Sequence, residues 1–306
     1  MISRREWIAG TLLAAGARAA RPPGLLIDSH VHMVSDDAAK FPFAQGRTSR
    51  PLPVEQYSKF AVEAGISHTV IVSPEPYQDD MRYLEYALTR GPSPGFFKGT
   101  CLFDPIEPET PKRLEALVKG NSGRIASLRI HVLHPAGTPS TTTGAIRDRD
   151  LKDPRVETTW RATHDLGLSM LIQLIPHYAP QIGDLAAKFP QMPVILDHLA
   201  RPGQGTAEEY EQVLKLAQIP RVYMKFSGTG VGSASKQPFP HEDAKPLVKR
   251  VYEAFGADRM IWGELGASMA EFDRAVQLFD SMFDFAPEPE RAKIRGLTSQ
   301  KLFAFS

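Results

Sequence analysis

Eight short apolar runs alternate along this chain with longer stretches of helical periodicity, and that alternation constrains the fold more than any other feature. Strands are expected at Leu25 to Asp28, His68 to Val72, Phe97 to Leu102, Ala126 to Ile130, Met170 to Leu174, Val194 to Leu196, Val222 to Lys225 and Met260 to Trp262. Helices are expected at Val54 to Ala64, Asp80 to Thr89, Thr110 to Val118, Pro154 to Asp165, Ile182 to Phe189, Ala207 to Leu216, Ala244 to Ala254 and Met269 to Met282. Eight parallel strands, each followed by a helix, make a single (β/α)8 TIM barrel of the α/β class, and 306 residues suit one such barrel, which needs roughly 250. Gly65, Gly167 and Gly256 follow the first, fourth and seventh helices, where left-handed caps are expected. The loops after strands are the long ones, notably Met33 to Pro53, His131 to Asp153 and Ser227 to Asp243, which puts the active site at the C-terminal ends of the strands. A doubly wound open sheet is the alternative, but no G-x-G-x-x-G follows the first strand to support a nucleotide site.

Residues 1–19 follow a different pattern. Ser3-Arg4-Arg5-Glu6-Trp7-Ile8, the small and apolar run from Ala9, and Ala17-Arg18-Ala19 keep the order of a secretory signal peptide, and the paired arginines resemble a twin-arginine leader. The run is far shorter than the ~20 residues that span a bilayer, so it is expected to be cleaved and to leave no membrane anchor. Residues 20–306 would then form the mature domain, periplasmic or secreted. The single Cys101 excludes a disulfide scaffold. Lys and Arg (36) nearly balance Asp and Glu (35) with no basic stripe, so nucleic acid is not an expected partner.

The strongest chemical signal is Ile27-Asp28-Ser29-His30-Val31-His32, because alternation along a strand points both histidines to one side, the interior of the barrel mouth. Two imidazoles so placed can share a divalent metal, zinc or manganese, or can polarise a carbonyl and move protons. Arg129 ends the fourth strand and suits either capture of a substrate carboxylate or an ion pair inside the barrel. Lys225, at the end of the seventh, is divided between substrate contact and a structural partner for Asp197. His68, His164 and His241 fall where solvation is expected, whereas His131, His134 and His177 are expected in loops after strands. No G-x-S-x-G elbow is present and Cys101 lies within a strand, which leaves a covalent serine or cysteine mechanism without support.

I-D-x-H-x-H opening the barrel, Thr69-Val70-Ile71-Val72-Ser73-Pro74 with Tyr77-Gln78-Asp79-Asp80, Leu128-Arg129-Ile130, Val194-Ile195-Leu196-Asp197-His198-Leu199-Ala200-Arg201-Pro202 and Lys225-Phe226-Ser227-Gly228 together resemble the amidohydrolase-related family, in the branch of pyrone-dicarboxylate and sugar lactonases. The resemblance implies that His198 faces the substrate and hydrogen-bonds a developing oxyanion, with Tyr77 as a weaker substrate contact. Metal-binding members carry a ligand histidine on the fifth strand; Gln173 stands nearest that position here, as a candidate substrate contact, and His177 follows as a third metal candidate beside His30 and His32. Members usually end the eighth strand with Gly-Ser-Asp, but this chain reads Trp262-Gly263-Glu264-Leu265-Gly266, with Leu265 where the aspartate would stand. Glu264 is the candidate replacement. Strict alternation would turn it away from the mouth, and only a bulge or turn at Gly263 and Gly266 could bring it back.

The expected activity is hydrolysis of a small lactone, or a related cyclic ester or amide, with His30, His32 and His198 polarising the carbonyl, Arg129 orienting a carboxylate-bearing small molecule and Glu264 activating water. A metal-dependent decarboxylase or hydratase on the same barrel, and a catalytically reduced exported binding protein, are the alternatives.

Overall fold

The computed structural model describes residues 21–134, 138 and 144–306. The leader expected at 1–19 and most of the Thr138 to Thr143 loop lie outside the described residues. Eight strands form one parallel sheet in sequence order: β1 (Ile27–Val31), β2 (His68–Val72), β3 (Phe97–Leu102), β4 (Ile125–Val132), β5 (Ser169–Leu174), β6 (Val194–Leu196), β7 (Val222–Phe226) and β8 (Met260–Trp262). The helices are α1 (Val54–Ala64), α2 (Arg82–Leu88), α3 (Thr110–Gly120), α4 (Pro154–Asp165), α5 (Ala179–Lys188), α6 (Ala207–Lys215), α7 (Gly228–Ala234), α8 (Lys245–Phe255), α9 (Met269–Met282), α10 (Glu288–Ala292) and α11 (Thr298–Leu302). This is the (β/α)8 barrel expected from the alternation, with α7 inserted at the mouth and α10 and α11 added after the last barrel helix. No described helix is long and apolar enough to cross a membrane.

Two apolar layers hold the barrel together. The larger packs helix faces such as Tyr57, Trp160, Val248 and Phe279 against the outside of the sheet. The smaller fills the interior with Ile27, Val70, Val72, Leu171, Ile195 and Ile261, closed off by the C-terminal Phe303 and Phe305. Gly65 caps α1 in the left-handed conformation as expected, whereas Gly256 combines a φ of 69° with a ψ of 159°, outside the left-handed helical well.

The seam between β8 and β1 has no strand ladder among the described residues. It is closed instead by Ser29 Oγ donating to the Trp262 carbonyl at 2.6 Å and by the Glu264 N–H donating to the His30 carbonyl at 3.1 Å. The chains approach so closely that a Cβ on Gly263 would lie 2.7 Å from the Cβ of His30, which admits only glycine there. The seam therefore runs directly beneath the candidate site.

Candidate active site

Asp197, the first residue beyond β6, is the centre of the mouth. Its carboxylate is fully buried; Oδ2 accepts from Arg129 at 2.6 Å and lies 3.4 Å from His198 Nε2, while Oδ1 is 3.1 Å from Lys225 Nζ and 3.3 Å from His30 Nδ1. Those last two contacts are ion-pair distances without hydrogen-bond alignment, so Oδ1 remains an orphaned acceptor. Burial raises the Asp197 carboxyl, but the surrounding His198, Lys225, His30 and Arg129 outweigh it and hold the group well below its ordinary value. Asp197 is thus ionised and fixed by cations from β4 and β7. Arg129 and Lys225 take the ion-pair roles that the sequence left open.

Strand alternation brings His30 and His32 together as expected, with their Nε2 atoms 3.2 Å apart. His32 Nδ1 is 2.8 Å from the Val72 carbonyl, which can only accept, so that nitrogen carries the proton and Nε2 faces His30 with its lone pair. Lys225 Nζ lies 3.2 Å from His30 Nδ1 and donates to it, leaving His30 Nε2 as the donor to His32. The result is a directed chain, Lys225 to His30 to His32 to the Val72 carbonyl. Burial holds His30 well below the ordinary histidine pKa and lowers His198 too, so both are neutral at pH 7.

His198 reaches the mouth by an unusual backbone. His198, Leu199, Ala200 and Arg201 all have positive φ, between 47° and 56°, a left-handed turn that costs L-residues roughly 1–2 kcal/mol each. Close packing holds it. Tyr210 donates to the Leu199 carbonyl at 2.8 Å, and Gly230 lies against the turn so tightly that a Cβ there would be 2.7 Å from the His198 carbonyl. His198 Nδ1 is 2.8 Å from Ser227 Oγ, the residue that caps α7, and 3.5 Å from Glu264 Oε1.

Glu264 follows β8 with φ of 64°, so the chain leaves strand geometry where alternation would have pointed the carboxylate outward. Asp28 holds this turn: its Oδ1 accepts from the N–H groups of His30 and Glu264 at 3.0 Å each, and its Oδ2 accepts from Tyr57 at 3.0 Å and Leu265 at 3.4 Å. Complete burial raises Asp28 to about 7 against these stabilising bonds. The Glu264 carboxylate accepts from the Thr229 N–H at 2.9 Å and hydroxyl at 2.8 Å, at the start of α7, and faces His198.

Other sequence candidates lie elsewhere. His177 sits half-buried on the turn Pro176–Tyr178 with Nδ1 3.0 Å from Glu209, outside the group of possible metal ligands, because that turn carries it beyond β5. Tyr77 is buried and its hydroxyl accepts from the Ser35 N–H at 2.9 Å, so it braces the long loop after β1. Gln173 is buried on β5 in register with His131 of β4, and His131 belongs to the strand, not to the loop expected for it. Asp28 as the seam clamp and half-buried Arg201 are not among the sequence candidates, and Asp197 enters there only as a partner for Lys225, not as the hub. The Asp197-His198 and I-D-x-H motifs hold two of them, but only convergence in space reveals their roles. A cleft of about 380 Å³ lined by Val34, Leu52, Gln56, Ser268 and Glu271 opens onto His32. Two hollows of about 540 Å³ are lined by none of His30, His32, Asp197, His198, Lys225 or Glu264, although one of them shares Gln56 with the cleft.

The ligating atoms of His30, Asp197 and His198 lie within 4.8 Å of one another. Imidazole nitrogen with one carboxylate is a donor set that suits zinc or manganese, and the orphaned Asp197 Oδ1 is the free acceptor such an ion would use. The residues fit a divalent metal once Lys225 Nζ withdraws from Asp197 Oδ1 and from His30 Nδ1, which frees the lone pair that His30 otherwise offers to the ammonium.

The fold and site together are a nearly closed eight-stranded α/β barrel whose mouth gathers neutral histidines around one buried carboxylate. The chain belongs to the amidohydrolase family, whose model matches residues 27–305. It is 26% identical over 248 residues, 78% of either chain, to L-fucono-1,5-lactonase of Burkholderia ambifaria. Its fold matches the probable 2-pyrone-4,6-dicarboxylic acid hydrolase of Acinetobacter baumannii with citric acid bound, at TM-score 0.71, 19% identity, and 92% and 99% coverage of the two chains. It also matches a dihydroxybenzoic acid decarboxylase from Polaromonas with bound manganese, at TM-score 0.61, 14% identity, and 92% and 97% coverage. The protein is accordingly an enzyme of the amidohydrolase family, lactonase-like by its curated relative.

Proposed function

We propose that this enzyme opens a small lactone by addition of water. The observation that carries the reading is the Glu264 carboxylate turned inward to 3.5 Å from His198 Nδ1, across the mouth from the Lys225, His30 and His32 chain. Glu264 with His198 takes a proton from water as its oxygen attacks the carbonyl carbon. The carbonyl oxygen gains charge opposite neutral imidazole and buried cationic groups, where low dielectric makes that stabilisation strong. Collapse breaks the ring C–O bond, and the leaving alkoxide takes the proton that Glu264 and His198 drew from water, which returns that pair to its starting state. One proton is taken and one is given, so the product is the open hydroxy acid. A divalent metal held by His30, Asp197 and His198 would take the place of the Lys225 contacts to His30 and Asp197 and would supply Lewis-acid polarisation of the carbonyl.

Glu264→Gln tests this directly. With a lactone that the wild type opens, kcat is expected to fall about 10²-fold or more with KM and thermal stability nearly unchanged. Unchanged kcat would remove Glu264 from the chemistry. We also infer export through residues 1–19: cell fractionation should find mature protein beginning near Ala20 outside the cytoplasm, and an intact Met1 on purely cytosolic protein would contradict it.

A further inference from the structure

The His131 side chain takes no part in the contacts described above. It stands two residues beyond Arg129 on β4, hence on the same side of the strand, and is only 8% exposed. Its Nε2 is enclosed and makes no hydrogen bond among the described residues; the Nε atoms of Arg129 and Arg201 are likewise buried and unpartnered. Arg129 shares its face of β4 and Gln173 pairs with it on β5, which sets the imidazole at the mouth end of the two strands. Burial and the Arg129 charge keep it neutral. A buried polar atom without a partner destabilises a fold, so packing would favour an apolar side chain here; such an exception marks a site where function overrides stability. The charges nearby agree. Arg129, Lys225 and Arg201 supply three positive charges against Asp197 and Glu264, and the two unpartnered arginine N–H groups, with His131 protonated on Nε2, suit an anionic acceptor.

We propose that His131 is a specificity-determining residue that, together with the Arg129 Nε–H, receives a carboxylate of the substrate lying beyond the scissile carbonyl. The inference rests on the hydrolytic reading for its place in the reaction, but the contact itself is a binding event that can be measured without turnover.

His131→Phe and His131→Gln are compared with wild type, using citrate as the carboxylate probe in calorimetry, thermal unfolding as the fold readout, and lactones with and without a carboxylate as substrates. His131→Phe is expected to unfold at the same or a higher temperature while citrate binds roughly ten- to a hundredfold more weakly, the range for a lost hydrogen bond to a charged group. His131→Gln, which restores an N–H donor, should recover most of that loss, and on a carboxylate-bearing lactone the defect should appear in KM more than in kcat. A His131→Phe protein that loses several degrees of stability would show a structural role and overturn the proposal. So would citrate binding equal to wild type, or no citrate binding by the wild type. If no lactone is turned over, the hydrolytic reading falls alone, and the citrate and unfolding data still decide on His131.

Discussion

His30 and Glu264 face each other across the β8–β1 seam, yet the chain presents them by opposite means. At β1 the backbone stays a strand through Val31, and period-two alternation delivers His30 and His32 with no unusual dihedral. At β6 and β8 the chain leaves strand geometry at once, and His198 and Glu264 reach the mouth through positive φ values of 52° and 64°. The regular end has a support of its own, since Asp28 Oδ1 accepts from the His30 N–H and the register with β2 shifts between Asp28 and Val31. The irregular ends are held by buried devices: Tyr210 and Gly230 under the left-handed turn, and Asp28 with Tyr57 under the Glu264 turn. In this barrel the histidine pair is a property of the strand, whereas the groups paired with it depend on tertiary packing.

The sharpest way to break that contrast is to remove the histidines. His30→Ala and His32→Ala should each lower kcat/KM by roughly 10²–10⁴-fold, and the double variant should lose little more than either alone, since the two rings form one hydrogen-bonded chain. The circular dichroism spectrum should be unchanged, because strand β1 does not depend on these rings for its geometry. Additive losses would show that they act in separate steps.

Asp197 is the next largest effect and the opposite in kind. Asp197→Asn removes the charge on which Arg129 and Lys225 converge, leaving two buried cations without a counter-charge. Stability in urea should fall by about 3–5 kcal/mol, the usual consequence of breaking one side of a buried ion pair. A loss below about 1 kcal/mol, the scale of an exposed pair, would mean that the hub is far wetter than its burial indicates.

Acidification should act on the same hub. His30, His198 and His131 are all held below the ordinary histidine pKa of 6.5, so below that pH the unfolded chain binds protons that the folded chain refuses. Their contribution to stability is lost as pH falls through 6.5. Asp28 works the other way: raised from 3.8 to about 7, it binds a proton in the folded state first, so its contribution is lost as pH rises through that window. His32, lowered to about 4, and His68 act in the same sense, so five histidines oppose one aspartate and the urea midpoint should be lower at pH 5 than at pH 7. A midpoint that rises on acidification would show that Asp28 dominates.

These effects also mark how far the sequence alone could be read. The strand count, the helices α1, α4 and α9 to the residue, and the His30–His32 pair follow from periodicity, which is a local property. Asp197 carries no local mark of being the hub, because its partners Arg129 and Lys225 come from strands 68 and 28 residues away by subtraction of their numbers from 197. His177 is a metal candidate in the sequence only as the histidine that follows the fifth strand, and the turn at Pro176 takes it to Glu209 instead. The inward Glu264 could be raised only as a conditional, since the positive φ falls on the glutamate and is stabilised by Asp28, 236 residues away.

The smallest predicted effect isolates the backbone cost itself. Ala200 lies in the left-handed turn with φ of 56° and Ala61 lies within helix α1; both are fully buried. Replacing either by glycine removes one buried methyl and adds the same freedom to the unfolded chain, so those two costs cancel in the comparison. What differs is the dihedral. Glycine occupies positive φ without the clash between Cβ and carbonyl that alanine suffers, so Ala200→Gly recovers roughly 1–2 kcal/mol that Ala61→Gly cannot. Ala61→Gly should therefore destabilise clearly, while Ala200→Gly should be close to neutral and leave kcat intact. Equal destabilisation at both sites would mean that the turn carrying His198 costs the fold nothing, and the contrast between the regular and irregular ends of the barrel would then be one of shape without energy.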